Sequence, residues 1–125
     1  AHLGLLRRCR TQQVETLLSL AEPEDGRATL LMGDLNEWRV GERSALRKLE
    51  PAFGPLHATV PSFPSRFPVL ALDRVLAKPH NLISSVELHD TPLARIASDH
   101  LPIKAGVKLA AATRDKDARA LEAAA

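Results

Sequence analysis

A chain of 125 residues, 45% apolar and 26% charged, has the make-up of one small globular domain with a modest core. No apolar stretch is long enough to span a bilayer, and the opening residues lack the layout of a signal peptide. A net charge of +2 and a pI near 9.0 are compatible with a phosphate-bearing partner, although a nucleic-acid face would need clustered Lys and Arg. The single Cys9 excludes an internal disulfide and fits a reducing, cytoplasmic compartment. Three Phe, one Trp and no Tyr make the expected core largely aliphatic.

Both ends read as cut. Residue 1 is not Met, and "AHLGL" begins without a capping or turn signal. Residues 110–125 form an Ala-rich tail, and its closing "RALEAAA" reads as residues of an expression tag; an Ala-rich helical tail is the alternative.

His2 to Leu5 reads as the end of a short strand. Leu6 to Ala21 shows helical spacing, with Val14, Leu17, Leu18 and Ala21 on one face and Arg10, Gln13 and Glu15 off it, closed by Pro23 and Gly26. Ala28 to Met32 is a continuous apolar run, the pattern of a strand buried on both faces. Gly41 to Leu49 is expected to hold a short helix stopped at Pro51. From Pro51 to Pro68, prolines at 51, 55, 61, 64 and 68 predict a long extended loop, either a substrate-contacting segment with Arg66 and Phe67 or a structural crossing. Val69 to Ala77 and Leu82 to Leu88 are two further predicted strands. In the last strand Leu101, Ile103, Ala105, Val107 and Leu109 alternate with Pro102, Lys104, Gly106 and Lys108, which predicts one buried and one exposed face.

The stretch "LLMGDLNEW" ends an apolar run with Gly33-Asp34-Leu35-Asn36. In an extended backbone Asp34 and Asn36 point to one side and Leu35 into the core. A carboxylate beside an amide suits a metal-and-phosphate site, and a plain Asx turn at a strand end is the structural alternative. "ALDRVLA" sets Asp73 and Arg74 in an apolar strand, where a charge is costly unless paired or used; a strand-edge salt bridge is the alternative. "ASDHLPI" sets Asp99 and His100 directly before the final strand, a candidate site or a polar loop. His2, alone at a strand end, is by itself more readily a structural or exposed side chain. All four clusters fall at strand ends, where α/β sheets carry their sites. Together they supply carboxylates, an amide and two imidazoles.

"HLGL", "GDLNEW", "LDRVLA" and "SDHLPI", in this order and at these spacings, resemble the last four motifs of the endonuclease/exonuclease/phosphatase superfamily. The Gly-Asp-x-Asn and Ser-Asp-His motifs carry most of the resemblance, which covers residues 1–109. "TVPSFPSRFPVLALDRVLA" and "TPLARIASDHLPI" further resemble small bacterial members. The resemblance implies an α/β fold, the C-terminal half of a four-layer α/β sandwich with mixed, mostly antiparallel sheet. It implies a divalent-metal-dependent phosphoesterase acting by in-line attack of an activated water, on nucleic acid, phospholipid or a small phosphate ester. Asp34 would position or deprotonate the water, Asn36 would hold a phosphate oxygen and Asp99 would help bind Mg²⁺ or Mn²⁺. Asp73 would orient His100 for phosphoryl contact or proton transfer, and His2 would serve as a phosphate contact or general acid. The chemistry agrees: an anionic phosphodiester repels hydroxide, so catalysis needs a cation against the developing charge and a base for water.

The family's earlier strands supply an Asn and a metal-binding Glu, and neither motif occurs here; Glu37 does not stand in the place of that Glu. Two readings follow. One is the C-terminal half of a hydrolase, inactive in isolation. The other is a non-catalytic binding or scaffold domain that keeps the fold. On the first, an apolar face formed by Val69, Leu70, Leu72, Leu76, Ile103, Val107 and the strand at Leu30 to Met32 is expected to need cover from an N-terminal half or a second copy.

Overall fold

A computed structural model describes residues 1–21, 26–39, 41–56 and 60–109, with only the backbone of Gly41. Pro23 and the Ala-rich tail beyond residue 109 lie outside the described residues. The architecture is α/β: helices combined with two small antiparallel sheets.

Residues 1–3 run beside the first strand. Ala1 donates its N–H to the Met32 carbonyl at 2.7 Å and Leu3 to the Asp34 carbonyl at 2.9 Å, a parallel pairing through His2 and Asp34. Helix α1 spans Arg7–Ala21 and turns Val14 and Ala21 inward, with Leu17 and Leu18 packed at the margin of the core. Arg10, expected off this face, is buried too, because its guanidinium meets the Gly4 carbonyl and buried Glu37. Strand β1 spans Thr29–Asp34. Only Leu31 is buried there; Leu30 and Met32 are 41% and 53% exposed, so the continuous apolar run is buried on one face rather than two.

Beyond β1 the chain forms 3-10 turns at Gly41–Arg43 and Ala45–Leu49, then a single-turn helix, α2, at Glu50–Phe53. Ser44 caps the second turn by accepting from the Leu46 N–H at 3.1 Å. Pro51 does not stop the helix, as the sequence suggested, but sits in the first turn of α2, where its missing N–H has no partner to lose. Leu46, Leu49 and Phe53 pack with Val14 and Ala21 of α1, Leu31 of β1, and Leu3, Leu35 and Leu76 to form the core.

Strand β2, Asp73–Lys78, is shorter than the predicted run, because Val69 to Leu72 enter no ladder beyond a bridge between Phe63 and Leu70. β2 pairs antiparallel with β1, and the register sets Asp34 opposite Asp73 and Leu31 opposite Leu76. Leu72 and Leu76 are buried, each 8% exposed, so neither contributes to the uncovered apolar face expected of them; Val69, Met32 and Val107 remain exposed.

A second hairpin-like pair joins β3 (Ile83–Leu88) to β4 (Ile103–Val107), with a register shift between Ile83 and Ser85. Between them lies α3, Pro92–Ala97, which the spacing did not reveal. Thr91 caps it by accepting from the Ala94 N–H at 3.0 Å, and Pro92 opens it.

No described helix is long and apolar enough to cross a membrane.

Candidate active site

The β1–β2 register brings two carboxylates face to face. Directly opposed residues in an antiparallel pair project to the same side, and like charges there repel. Asp34 and Asp73 therefore require something cationic between them. His100 fills that place: its Nδ1 lies 2.7 Å from Asp73 Oδ2 and its Nε2 lies 3.7 Å from Asp34 Oδ2.

Two backbone contacts carry His100 to this position. The Ser65 N–H donates to the Asp99 carbonyl at 2.7 Å, and the Leu101 N–H donates to the Ser62 carbonyl at 2.8 Å. The His100 N–H is itself received by Ser98 Oγ at 3.1 Å. Ser65 Oγ ties the same loop to α3 by donating to the Arg95 carbonyl. The Pro-rich segment is thus the bracket that seats residues 99–101, while Arg66 and Phe67, proposed from sequence as substrate contacts, are exposed. The loop's two side chains nearest the chemistry are Ser62 and Phe63. Fully buried Ser62 donates its hydroxyl to Asp73 Oδ2, and the Phe63 ring lies 4.9 Å from the His100 ring at 46°.

Burial is the largest influence on His100 and lowers its pKa. The hydrogen bond to Asp73 and the charges of Asp73, Asp34 and Asp99 together outweigh it, leaving the pKa above the ordinary 6.5. The geometry fixes the tautomer, with Nδ1–H on Asp73 and Nε2 turned toward Asp34.

Asn36 reaches the site by a different route from strand alternation. β1 ends at Asp34, whose Oδ1 accepts the Asn36 N–H at 2.8 Å in an Asx turn, and Asn36 adopts a left-handed backbone with φ 50°. The turn and the site are the same object here. Leu35 points inward and is fully buried, as expected. The Asn36 amide donates to the Leu3 carbonyl and lies 3.4 Å from His2 Nε2. His2 Nε2 is also 3.9 Å from Asp34 Oδ2, and its side chain is largely exposed. Asp99 is exposed and stands outside the tight group, although its carboxylate acts on His100 electrostatically.

Asp34, Asp73 and His100 offer ligand atoms within 4.8 Å of one another. With its Nδ1–H held by Asp73, His100 turns Nε2 toward Asp34, so the trio can hold a proton between the two carboxylates or, with His100 neutral, offer Nε2 to a metal ion. Its chemistry is that of an oriented acid–base pair. Asp99 lies outside this group, and its exposed carboxylate is a hard oxygen donor of the kind Mg²⁺ and Mn²⁺ take.

Beneath the site lies an ionic knot. Glu37 is fully buried; its carboxylate accepts from the Arg39 N–H at 3.1 Å and the Ala45 N–H at 3.0 Å and lies 3.5 Å from Arg10. Arg74 is buried beside it and donates to the Leu56 and Glu37 carbonyls, each at 3.0 Å, so it is no strand-edge ion pair. Burial lowers its pKa and the Glu37 charge partly offsets that. Glu37 therefore has a structural task, consistent with its not replacing a metal-binding Glu.

The profile of the endonuclease/exonuclease/phosphatase family matches residues 10–100. The chain belongs to that family. Its members are generally metal-dependent phosphoesterases or nuclease-like hydrolases. The chain is 34% identical over 115 residues to the uncharacterized protein YbhP of Escherichia coli K12, with 86% of this chain and 44% of YbhP covered. The YbhP proteins of E. coli O6:H1 and Shigella flexneri match equally. The chain thus spans less than half the length of the curated relatives it matches. No solved structure matches it.

Proposed function

We propose that this chain is the C-terminal half of a divalent-metal phosphoesterase domain, a four-layer α/β sandwich in the whole protein, and that Asp34, Asn36, Asp73, Asp99, His100 and His2 form its part of the active site. The observation that carries this reading is His100 seated between Asp73 and Asp34. Two carboxylates in register across a strand pair repel unless a cation or a proton is managed between them, and that arrangement suits phosphoryl transfer.

Asp34 keeps one oxygen on its own turn and turns Oδ2 toward His100 and His2, and this oxygen orients and deprotonates an attacking water. His100, held by Asp73 and Ser62, presents Nε2–H to a phosphoryl oxygen. Asn36 has two amide N–H groups. One is spent on the Leu3 carbonyl, and the other passes from His2 to a phosphate oxygen when substrate enters. His2 Nε2, released from Asn36 and 3.9 Å from Asp34 Oδ2, passes the proton that Asp34 takes from water on to the leaving oxygen. Asp99 would hold the Mg²⁺ or Mn²⁺, which when bound supplies positive charge against the developing phosphorane. An Asn and a Glu from an N-terminal half would complete the ligand set, and the same half would cover Leu30, Met32 and Val107. The free Cys9 is compatible with a cytoplasmic setting.

The test is hydrolysis of an activated phosphodiester by a protein carrying this chain together with its N-terminal partner half, with and without Mg²⁺. A second reading, a scaffold that keeps the fold without the chemistry, is favoured by the absence of the Glu motif from these residues. Metal-dependent turnover abolished by His100→Ala supports the enzyme; complete inactivity with intact folding leaves the scaffold.

A further inference from the structure

His100, Asn36 and Asp99 line one cleft of about 500 Å³, and its other walls are Trp38, Arg39, Arg10, Phe63 and the aliphatic Leu5, Leu70 and Leu72. The chain has only three Phe and one Trp, so two of its four aromatic side chains face this cleft. They differ in role. Phe63 packs on His100, whereas Trp38 leaves 52% of its surface exposed.

Exposing half of an indole is costly unless the ring has a partner. One partner is visible: the Arg39 guanidinium lies over the Trp38 ring, 4.7 Å from its centroid. That guanidinium is anchored, since Glu37 receives the Arg39 N–H at 3.1 Å and lies 3.6 Å from Arg39 Nη1. Glu37 is in turn fixed by Arg10 and the Ala45 N–H. Contacts thus run from buried Glu37 through the half-exposed Arg39 to the exposed indole, which lies beside Asn36. Arg39 occupies one face of the ring, so the exposed part is the opposite face and the edge.

We propose that Trp38, backed by Arg39, is the specificity-determining platform of this site and stacks a flat π-bearing group next to the scissile phosphate, so that the substrate class is phosphoesters whose alcohol portion carries an aromatic ring system, such as a nucleoside. This rests on the phosphoesterase reading for the phosphate and deepens it for the alcohol. A planar base continues the guanidinium–indole stack and is sequence-tolerant, because every base offers a π-face. An aliphatic alcohol would gain contact with Leu5 but nothing from the layered Arg39–Trp38 pair.

Trp38 is the chain's single tryptophan, so its emission reports directly on the platform. Adenosine 5′-monophosphate, adenosine and glycerol phosphate are titrated into the protein, following Trp38 emission and, in parallel, heat. The adenine ligands should quench Trp38 saturably and glycerol phosphate should not. In Trp38→Ala the preference for adenosine monophosphate over glycerol phosphate should fall roughly 5- to 150-fold, the range that one stacked base supplies, and Trp38→Phe should restore most of it. An unchanged preference in Trp38→Ala, equal quenching by glycerol phosphate, or no binding of either adenine ligand would overturn the platform. The two readings separate cleanly. Quenching by adenosine with no added affinity from its phosphate, and no effect of His100→Ala, sinks the phosphoesterase reading and keeps the platform. Metal-dependent hydrolysis without any aromatic preference does the reverse.

Discussion

Asp73 Oδ2 accepts from His100 Nδ1 at 2.7 Å while receiving the hydroxyl of Ser62 on the same oxygen. One carboxylate oxygen therefore anchors a buried loop residue and an imidazole at once, and His100 inherits its orientation from both. Its raised pKa has a signed consequence. The group gains protons on folding, so its contribution to stability is fully present below the unfolded value of about 6.5 and is lost as pH rises through the folded value. In the metal-free protein, an NMR titration of the His100 ring should give a pKa above 6.5, and Asp73→Asn should bring it down. A His100 pKa at or below 6.5 in the unmodified protein would remove the ion-pair assignment.

Asp34→Asn keeps the shape of the strand end and removes the base. In the complete enzyme it should lower kcat by about 10²–10⁴-fold with little change in substrate affinity. Unchanged turnover ends the water-activation role of Asp34.

Chelation should abolish phosphoester hydrolysis by the complete enzyme, and added Mg²⁺ or Mn²⁺ should restore it. Asp99→Ala should raise the metal concentration needed for half-maximal activity. Full activity in the presence of excess chelator would contradict the metal assignment outright.

Glu37→Ala strips the charge from between Arg10 and Arg39 and strands two backbone N–H donors. Breaking a buried pair in this way costs about 3–5 kcal/mol, which is a large share of a small domain's stability. Denaturant unfolding should show a midpoint shifted far down, or no folded baseline. A stability within error of the parent would mean that the knot is relieved by water or rearrangement.

Part of this architecture was legible before any coordinates. Val14, Leu17, Leu18 and Ala21 repeat at the spacing of one helical face, and α1 lies where they placed it. The alternation from Leu101 to Leu109 marked a strand, and β4 occupies its middle with Lys104 in water, but Val107 and Leu109, expected on the buried face, are exposed. The motifs at Asp34, Asp73 and His100 were readable, and the structure assembles them through a strand register that no local pattern encodes. What escaped was short or long-range. Six residues of α3 are too few for a periodicity, and only Thr91-Pro92 marked its start. The exposure of Leu30 and Met32 is invisible in an apolar run, because hydropathy says what can be buried, not whether a cover exists. The Arg10–Glu37 pair spans 27 residues of sequence, and nothing near either residue announces the other.

Those exposed side chains have a measurable outcome. With Leu30, Met32, Val69 and Val107 facing solvent, the chain by itself should self-associate in sedimentation experiments, since contiguous apolar surface marks an interface. The N-terminal half should suppress the association. A chain that remains monomeric at high concentration would show that these side chains are too scattered to form a patch.

Gly33 has φ 140°, and a methyl group built on it would lie 1.8 Å from the carbonyl oxygen of Ala1. The segment carrying His2 lies against β1 only because that hydrogen is not a methyl. His2 owes its place beside Asp34 and Asn36 to a hollow in the neighbouring backbone as much as to the contact of its own ring with the Asn36 amide. The smallest possible enlargement of the protein at this point, Gly33→Ala, would unseat one imidazole of the site while leaving every polar residue in it chemically intact.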